Sequence, residues 1–314
     1  MAQDRDWQAG KADWNPRLAE SMASELLDLT RGVGMDRGQV FVLDLVYRYW
    51  QGIRGASIPM ASRSSELEHR LEEVCRHTLE RHIRVNEPGF LAAVYEALLV
   101  PRNRSAGERV TPDSIATLIS NLVGDPRSVI DPACGVGGIL RSCSALPSRP
   151  ELHGIEINAD IASVASRRFE MGGFKAEIET GDAFEVAAAH VGRHDAVVLQ
   201  PPWGMLRGTQ IEARWGALGI NPSTLPNSAT RSDFGWIELA LRLLASDGRA
   251  AVVLPRMGGK LHADEVARLL SIGRNCQDLW IGVFQATSVP VRSSPFEGGC
   301  GGVMSVGRSS SLPL

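Results

Sequence analysis

The stretch Asp131-Pro132-Ala133-Cys134-Gly135-Val136-Gly137-Gly138 decides the fold. It follows a short apolar run, Ser128–Ile130, and opens a helical pattern at Ile139. Glycine lets the backbone turn sharply and come close to a ligand that a Cβ would exclude. Further short apolar runs follow at Leu152–Ile155, Ala176–Ile178, Ala196–Leu199, Ala250–Leu254 and Leu279–Phe284, with a last strand candidate at Val303–Val306. Helical patterns at Ala159–Met171, Phe234–Leu244 and Ala263–Ile272 separate most of them. Strands alternating with helices predict a mostly parallel sheet covered on both faces.

Upstream, Thr111 is placed to cap a helix with Pro112 at its first position, and Ile115, Leu118, Ile119 and Leu122 share one face. Before residue 105 the period is helical throughout: Val42, Leu45, Val46 and Tyr49, then Leu67, Leu71, Val74 and Thr78, then Phe90, Val94 and Leu98. The turn-rich link 101–107 separates the two patterns. The expected organisation is a helical domain over residues 1–108 and an α/β domain over 109–314.

Three acids fall at three successive strand ends: Asp131, Glu156 and Asp182, the last within Gly181-Asp182-Ala183-Phe184. Ligands of open α/β sheets bind along that edge, where a carboxylate accepts hydrogen bonds from ribose hydroxyls. The glycines are more compressed than in the dinucleotide pattern G-x-G-x-x-G, so a small adenosine cofactor without phosphates fits better than a dinucleotide. The fourth strand ends in Gln200-Pro201-Pro202-Trp203. Two prolines fix the backbone there and leave carbonyls without competing N–H donors.

These residues together resemble the amino methyltransferases that use S-adenosylmethionine. The closer likeness is to N6-adenine DNA methyltransferases of the kind found as the methylation subunit of type I restriction–modification systems. It spans most of residues 38 to 290, continuing through Asp233-Phe234 to Gly248–Pro255, and only the methyltransferase part carries specific motifs. The resemblance implies a Rossmann-like methyltransferase sheet preceded by a smaller all-helical domain. It implies S-adenosylmethionine contacts at Thr111, Asp131, Ala133, Gly135, Gly137, Gly138, Glu156, Ile157, Asp182 and Ala183. Within that set Glu156 would hold the ribose, Asp182 the adenine amino group, and Asp131 with Gly135 and Gly137 the methionine end. Gln200 and Pro201 would accept hydrogens from the target amine, with Pro202 and Trp203 completing the catalytic loop and Trp203 stacking on a flipped base.

The family has Asn or Asp where this chain has Gln200, so the amide oxygen moves by up to roughly 1.5 Å if the side chain extends. Two other readings stay open on the sequence. One is a methyltransferase acting on protein glutamine or RNA guanine. The other is a catalytically silent cofactor- or DNA-binding module.

Composition narrows the partners. The chain has 314 residues, 33 basic and 36 acidic, for a net charge of -3; only Lys11, Lys175 and Lys260 are lysines. Near-neutral charge excludes a strongly basic nucleic-acid arm and suits a protein that borrows DNA affinity from others. Double-stranded DNA, a separate specificity subunit and a nuclease subunit are the partners that the resemblance implies. The segment 204–231 is long and polar, with Arg207, Arg214, Arg231 and Trp215 as candidate DNA contacts or as a solvated flap. Five cysteines without a CxxC pair predict a reduced, cytoplasmic setting. No apolar run approaches the roughly 20 residues of a membrane span. His190 and His194 are the only close histidine pair, and no metal site is expected from them.

Overall fold

The computed structural model describes residues 16–30, 35–55, 66–81, 87–99, 111–202, 231–255, 278–284 and 302–307. The link 101–107, the helix expected at 263–272, Trp203 and nearly all of the 204–231 segment lie outside those residues. Contacts divide the chain into one unit of residues 1–110 with 160–175 and another of 111–159 with 176–314.

The first unit is helical: α1 (Pro16–Leu29), α2 (Met35–Ile53), α3 (Glu66–Glu80) and α4 (Pro88–Leu99), joined by most of α7 (Ala159–Met171). Its core includes Leu26, Val42, Val46, Leu79, Phe90, Val94 and Leu98, all fully buried. On α3 the buried face is rotated from the expected one. Cys75, Thr78 and Leu79 are buried, whereas Val74 is 48% exposed. Both stripes satisfy the helical period, and the observed one brings in the larger apolar Leu79.

Helix α7 is held in this unit by charge. Arg168 reaches Glu96 with Nε at 2.9 and 3.1 Å and Nη2 at 2.6 Å from the carboxylate oxygens. Arg167 lies 2.8 Å from Asp44, which also accepts from Arg48 at 2.8 Å. The Tyr95 hydroxyl donates to the Val164 carbonyl at 3.2 Å. A planar guanidinium forking onto a carboxylate is the strongest of these arrangements.

The second unit is a seven-stranded sheet in the order β3-β2-β1-β4-β5-β6-β7. In chain order its elements are α5 (Asp113–Leu122), β1 (Ser128–Asp131), α6 (Gly138–Cys143), β2 (Glu151–Glu156) and β3 (Ala176–Thr180). There follow the four-residue α8 (Ala183–Val186), a 3₁₀ turn at Ala187–His190, β4 (His194–Leu199), α9 (Arg231–Leu243), β5 (Leu244–Pro255), β6 (Asp278–Phe284) and β7 (Gly302–Gly307). Every pairing from β3 to β6 is parallel, and β7 runs antiparallel to β6. Strand order reverses direction between β1 and β4, which opens a crevice at their carboxyl ends.

One face of the sheet buries Ile130, Ile155, Val197, Leu199, Ala250 and Val252 against Phe184 and Ala187 and against Trp236, Ile237, Ala240 and Leu244. Trp236 and Phe184 meet with ring centroids 4.6 Å apart. Each large apolar side chain buried this way contributes roughly 1.5–3 kcal/mol.

Several boundaries differ from the sequence reading, and two of them have a visible cause. Helix α5 starts at Asp113 with Pro112, not Thr111, at the N-cap. Pro112 has an extended ψ of 141° and no side-chain cap bond forms, so the helix begins one residue later. Strand β5 begins at Leu244 instead of Ala250, because Leu244 pairs with His194 before the register shifts. Asp247, at φ 64°, turns the chain within that irregularity.

Gly154 sits in β2 between Asp131 of β1 and Ile178 of β3. A Cβ there would lie 2.8 Å from both Cys134 Sγ and Ile178 Cδ1. Gly154→Ala is therefore expected to destabilise the protein by about 1–3 kcal/mol in chemical denaturation. The loss should shrink in a Cys134→Ala background, since the sulfur is one of the two obstructions.

Candidate functional site

The exits of β1, β2, β3 and β4 line up along one edge, and the sequence places its acids and its Pro-Pro loop there. Asp131 ends β1 and is only 1% exposed. Its Oδ1 accepts the Ala133 N–H at 3.0 Å, which closes the first half of the turn. Burial is the main reason its carboxyl is pushed up to about 7; the Ala133 bond pulls it down and the nearby Glu156 charge adds to the rise.

The turn then threads back onto β2. Cys134 N–H donates to the Ile155 carbonyl at 2.9 Å, and Gly137 N–H to the Cys134 carbonyl at 2.8 Å. Gly135 and Gly137 have φ of 55° and 77°, the left-handed region where any other residue is strained. Gly137 is the N-cap of α6 and Gly138 its first residue. Thr111 lies against that helix start, with its Cβ and carbonyl 3.6 Å from the position of a Gly138 Cβ.

Glu156 ends β2, and both its carboxylate oxygens accept backbone N–H groups: Oε2 from Gly135 at 3.1 Å and Oε1 from Asn158 at 2.8 Å. Between those two bonds Ile157 stands 62% exposed, a large apolar side chain presented at the sheet edge. Asp182 follows β3 and caps α8, its Oδ1 accepting the Phe184 N–H at 3.0 Å. Ala183 is buried, and Ala133 is half-buried against the same core.

At the end of β4, Gln200 is half-buried and its Oε1 is fully buried, with no hydrogen-bond partner among the described residues. Pro201 is buried and Pro202 exposed. An amide oxygen shut from water without a donor is worth roughly 1–3 kcal/mol to satisfy. It is an acceptor awaiting an N–H.

The edge thus offers what an adenosine-type cofactor with a cationic end requires. There are carboxylates at three strand exits, a glycine turn that leaves room for close approach, and an exposed apolar platform at Ile157. Sequence reasoning did not anticipate that Glu156 is already bonded to Gly135 and Asn158. The spacing of an acid at a strand end carries no signal of which backbone amides it will meet.

A second cluster lies away from this edge, at the start of β4. His190 joins Glu179 through Nε2 at 3.2 Å and His194 through Nδ1 at 3.3 Å. His153, not paired with them in the sequence reading, packs its ring on His194 at 4.9 Å between centroids and lies 3.4 Å from Glu177. His194 is 3% exposed, and burial, then the neighbouring His153 and His190, push it down to about 4. Among the described residues no group of three His, Cys, Asp or Glu side chains has the geometry to hold a metal.

A protein from Listeria monocytogenes described as a class I S-adenosylmethionine-dependent methyltransferase shares the fold at a TM-score of 0.56 and 15% identity, over 95% of this chain and 91% of that one. A chain from a type I restriction–modification assembly shares it at a TM-score of 0.54 and 14% identity, over 88% of this chain and 78% of that one. No curated protein sequence matches significantly. The model of the N-6 DNA methylase family matches residues 87–266, which include the glycine turn, all three acids and the Gln-Pro-Pro loop. Since that match covers more than half of the chain, this protein belongs to the N-6 DNA methylase family, a methyltransferase whose cofactor is S-adenosylmethionine.

Proposed function

We propose that this protein methylates the exocyclic N6 of adenine in DNA, acting in the cytoplasm as the methylation subunit of a restriction–modification-like system. The observation that carries this reading is the buried Oε1 of Gln200 at the exit of β4, which has no partner among the described residues. S-adenosylmethionine supplies an electrophilic methyl group on a sulfonium sulfur. Gln200 Oε1 accepts one hydrogen of the target amine, and the Pro201 carbonyl accepts the other. Together these acceptors would aim the nitrogen lone pair at the methyl group that the cofactor would supply, and the proton given up by the nitrogen would pass to solvent. Catalysis of this kind comes from positioning and from fixed acceptors in a site closed to water. Trp203 provides a stacking face for a base turned out of the duplex.

The site residues in this proposal are Thr111, Asp131, Ala133, Gly135, Gly137, Gly138, Glu156, Ile157, Asp182 and Ala183 for the cofactor and Gln200, Pro201, Pro202 and Trp203 for the target. The net charge of -3 supports dependence on partners for DNA affinity, and we assign sequence recognition to a separate specificity subunit, with a nuclease subunit completing the assembly. The likeness to a chain from a type I assembly agrees with that arrangement.

A genome-wide map of N6-methyladenine in the native host, with and without the gene, tests the proposal with all partners present. Loss of methylation at a defined sequence motif on deletion is the expected result, and an unchanged map would overturn it. A second reading rests on one residue: with Gln200 in place of Asn or Asp, the chain would bind cofactor or DNA without turnover.

A further inference from the structure

Glu156 joins three strand exits. Its Oε2 takes the N–H of Gly135, at the exit of β1, at 3.1 Å. Its Oε1 takes the N–H of Asn158, just past β2, at 2.8 Å. Its backbone carbonyl takes the N–H of Gly181, at the exit of β3, at 3.0 Å. One side chain and its own peptide thus tie together the turns after β1, β2 and β3.

The bond to Gly135 matters most, because it spans from β2 to a turn that glycine makes easy to form and easy to lose. Gly135 stands at a φ of 55°, and glycine carries the largest conformational entropy of any residue. A carboxylate has about four lone-pair sites, so two backbone bonds leave about two for hydroxyl groups of a ligand. Holding the turn and receiving a ribose are compatible tasks for the same group.

We propose that Glu156 is a positioning residue for the glycine turn in addition to any direct contact with S-adenosylmethionine. It fixes the Gly135 backbone in its ligand-ready shape before the cofactor arrives, so binding spends less free energy on ordering the loop. The proposal rests on the cofactor lying at this edge of the sheet.

Two measurements test it, and the first needs no cofactor. By amide hydrogen exchange on the cofactor-free protein, Gly135 N–H is expected to be protected, and to exchange at least ~10-fold faster in Glu156→Ala. Cys134 N–H, which donates to the Ile155 carbonyl at 2.9 Å, should keep its protection and report that the fold is intact. An unprotected Gly135 amide in the unmodified protein overturns the proposal whatever the variant does.

The second is a cycle of affinities for S-adenosylhomocysteine and its 2′,3′-dideoxy counterpart. A residue that acts only through the ribose would lose nothing on mutation toward the dideoxy ligand. The expected result is that Glu156→Ala still weakens the dideoxy ligand, by at least ~5-fold. Equal affinities of the two proteins for that ligand would refute the positioning role. Failure of the unmodified protein to bind either ligand would instead refute the cofactor placement, and the exchange measurement would still decide the role of Glu156.

Discussion

Replacing Gln200 by alanine is expected to lower methyl transfer by about 10²–10³-fold while leaving S-adenosylmethionine affinity unchanged, the size seen when one fixed hydrogen-bonding group is removed from a reacting centre. The residue follows β4, whereas the proposed cofactor residues lie at the exits of β1, β2 and β3 and at Thr111, so on the proposed function the substitution leaves the cofactor contacts in place. Folding stability should stay the same or rise by about 1 kcal/mol, because the deletion removes a buried oxygen that has no partner among the described residues. Gain of stability with loss of turnover is the signature of an acceptor held open for a substrate. Calorimetric titration of the cofactor, single-turnover methylation and chemical denaturation read the three quantities separately. A loss of stability with unchanged turnover would assign Gln200 to packing. Gln200→Asn then separates the two functional readings: activity in the asparagine variant alone would make the native chain a binder, and similar rates in both would reject the silent-module reading.

The dependence of stability on pH is expected to be nearly flat between about pH 6.5 and 4 for the unmodified protein, because two buried groups oppose each other. His194 is pushed down to about 4 in the folded state from an ordinary 6.5. Between those values the unfolded chain holds a proton that the folded one lacks, so acid removes stability at about 1.4 kcal/mol per pH unit. Asp131 is pushed up to about 7 from 3.8. In the same window the folded state holds a proton that the unfolded one lacks, and acid adds stability at about the same slope.

Single substitutions should uncover each half. His194→Phe leaves Asp131 in control, so stability should be higher at pH 4.5 than at 6.5 by roughly 2–3 kcal/mol. Asp131→Asn leaves His194 in control and should show the opposite trend of similar size. The groups facing His194 in the structure are His153, His190, Arg193 and Asp195, and burial outweighs them all. Urea denaturation at half-unit pH steps measures both curves. Parallel profiles for the two variants would show that neither group is shifted by its surroundings.

The strands were legible because each is a short apolar run closed by a turn residue, and the sheet keeps all seven runs that the sequence marked. The bounds of α7 coincide with the expected helix for the same reason: Ala159 and Met171 are flanked by Asn158 and by Gly172-Gly173. What failed to show was anything set by partners far along the chain. Val74 and Leu79 are equally good apolar residues at helical spacing, and only the packing of the other helices chose between them. His153 joins His190 and His194 only once β2 and β4 are folded beside β1. The candidate site was legible as residue types, a glycine turn and acids that do stand at successive strand exits. Their internal bonding was not, because backbone amides leave no trace in a sequence.

The division of contacts also has a consequence for synthesis on the ribosome. Helix α7 is coded between β2 and β3, yet its residues from 160 onward complete the unit built by residues 1–110. At about 5–20 residues per second, the chain takes roughly 3–13 s to extend from 110 to 175. Through that interval Glu96, Asp44 and Tyr95 have been made while Arg168, Arg167 and Val164, their partners in the finished protein, have not all emerged. The helices of residues 1–110 thus wait for α7, and β1 and β2 must be synthesised before that unit can close.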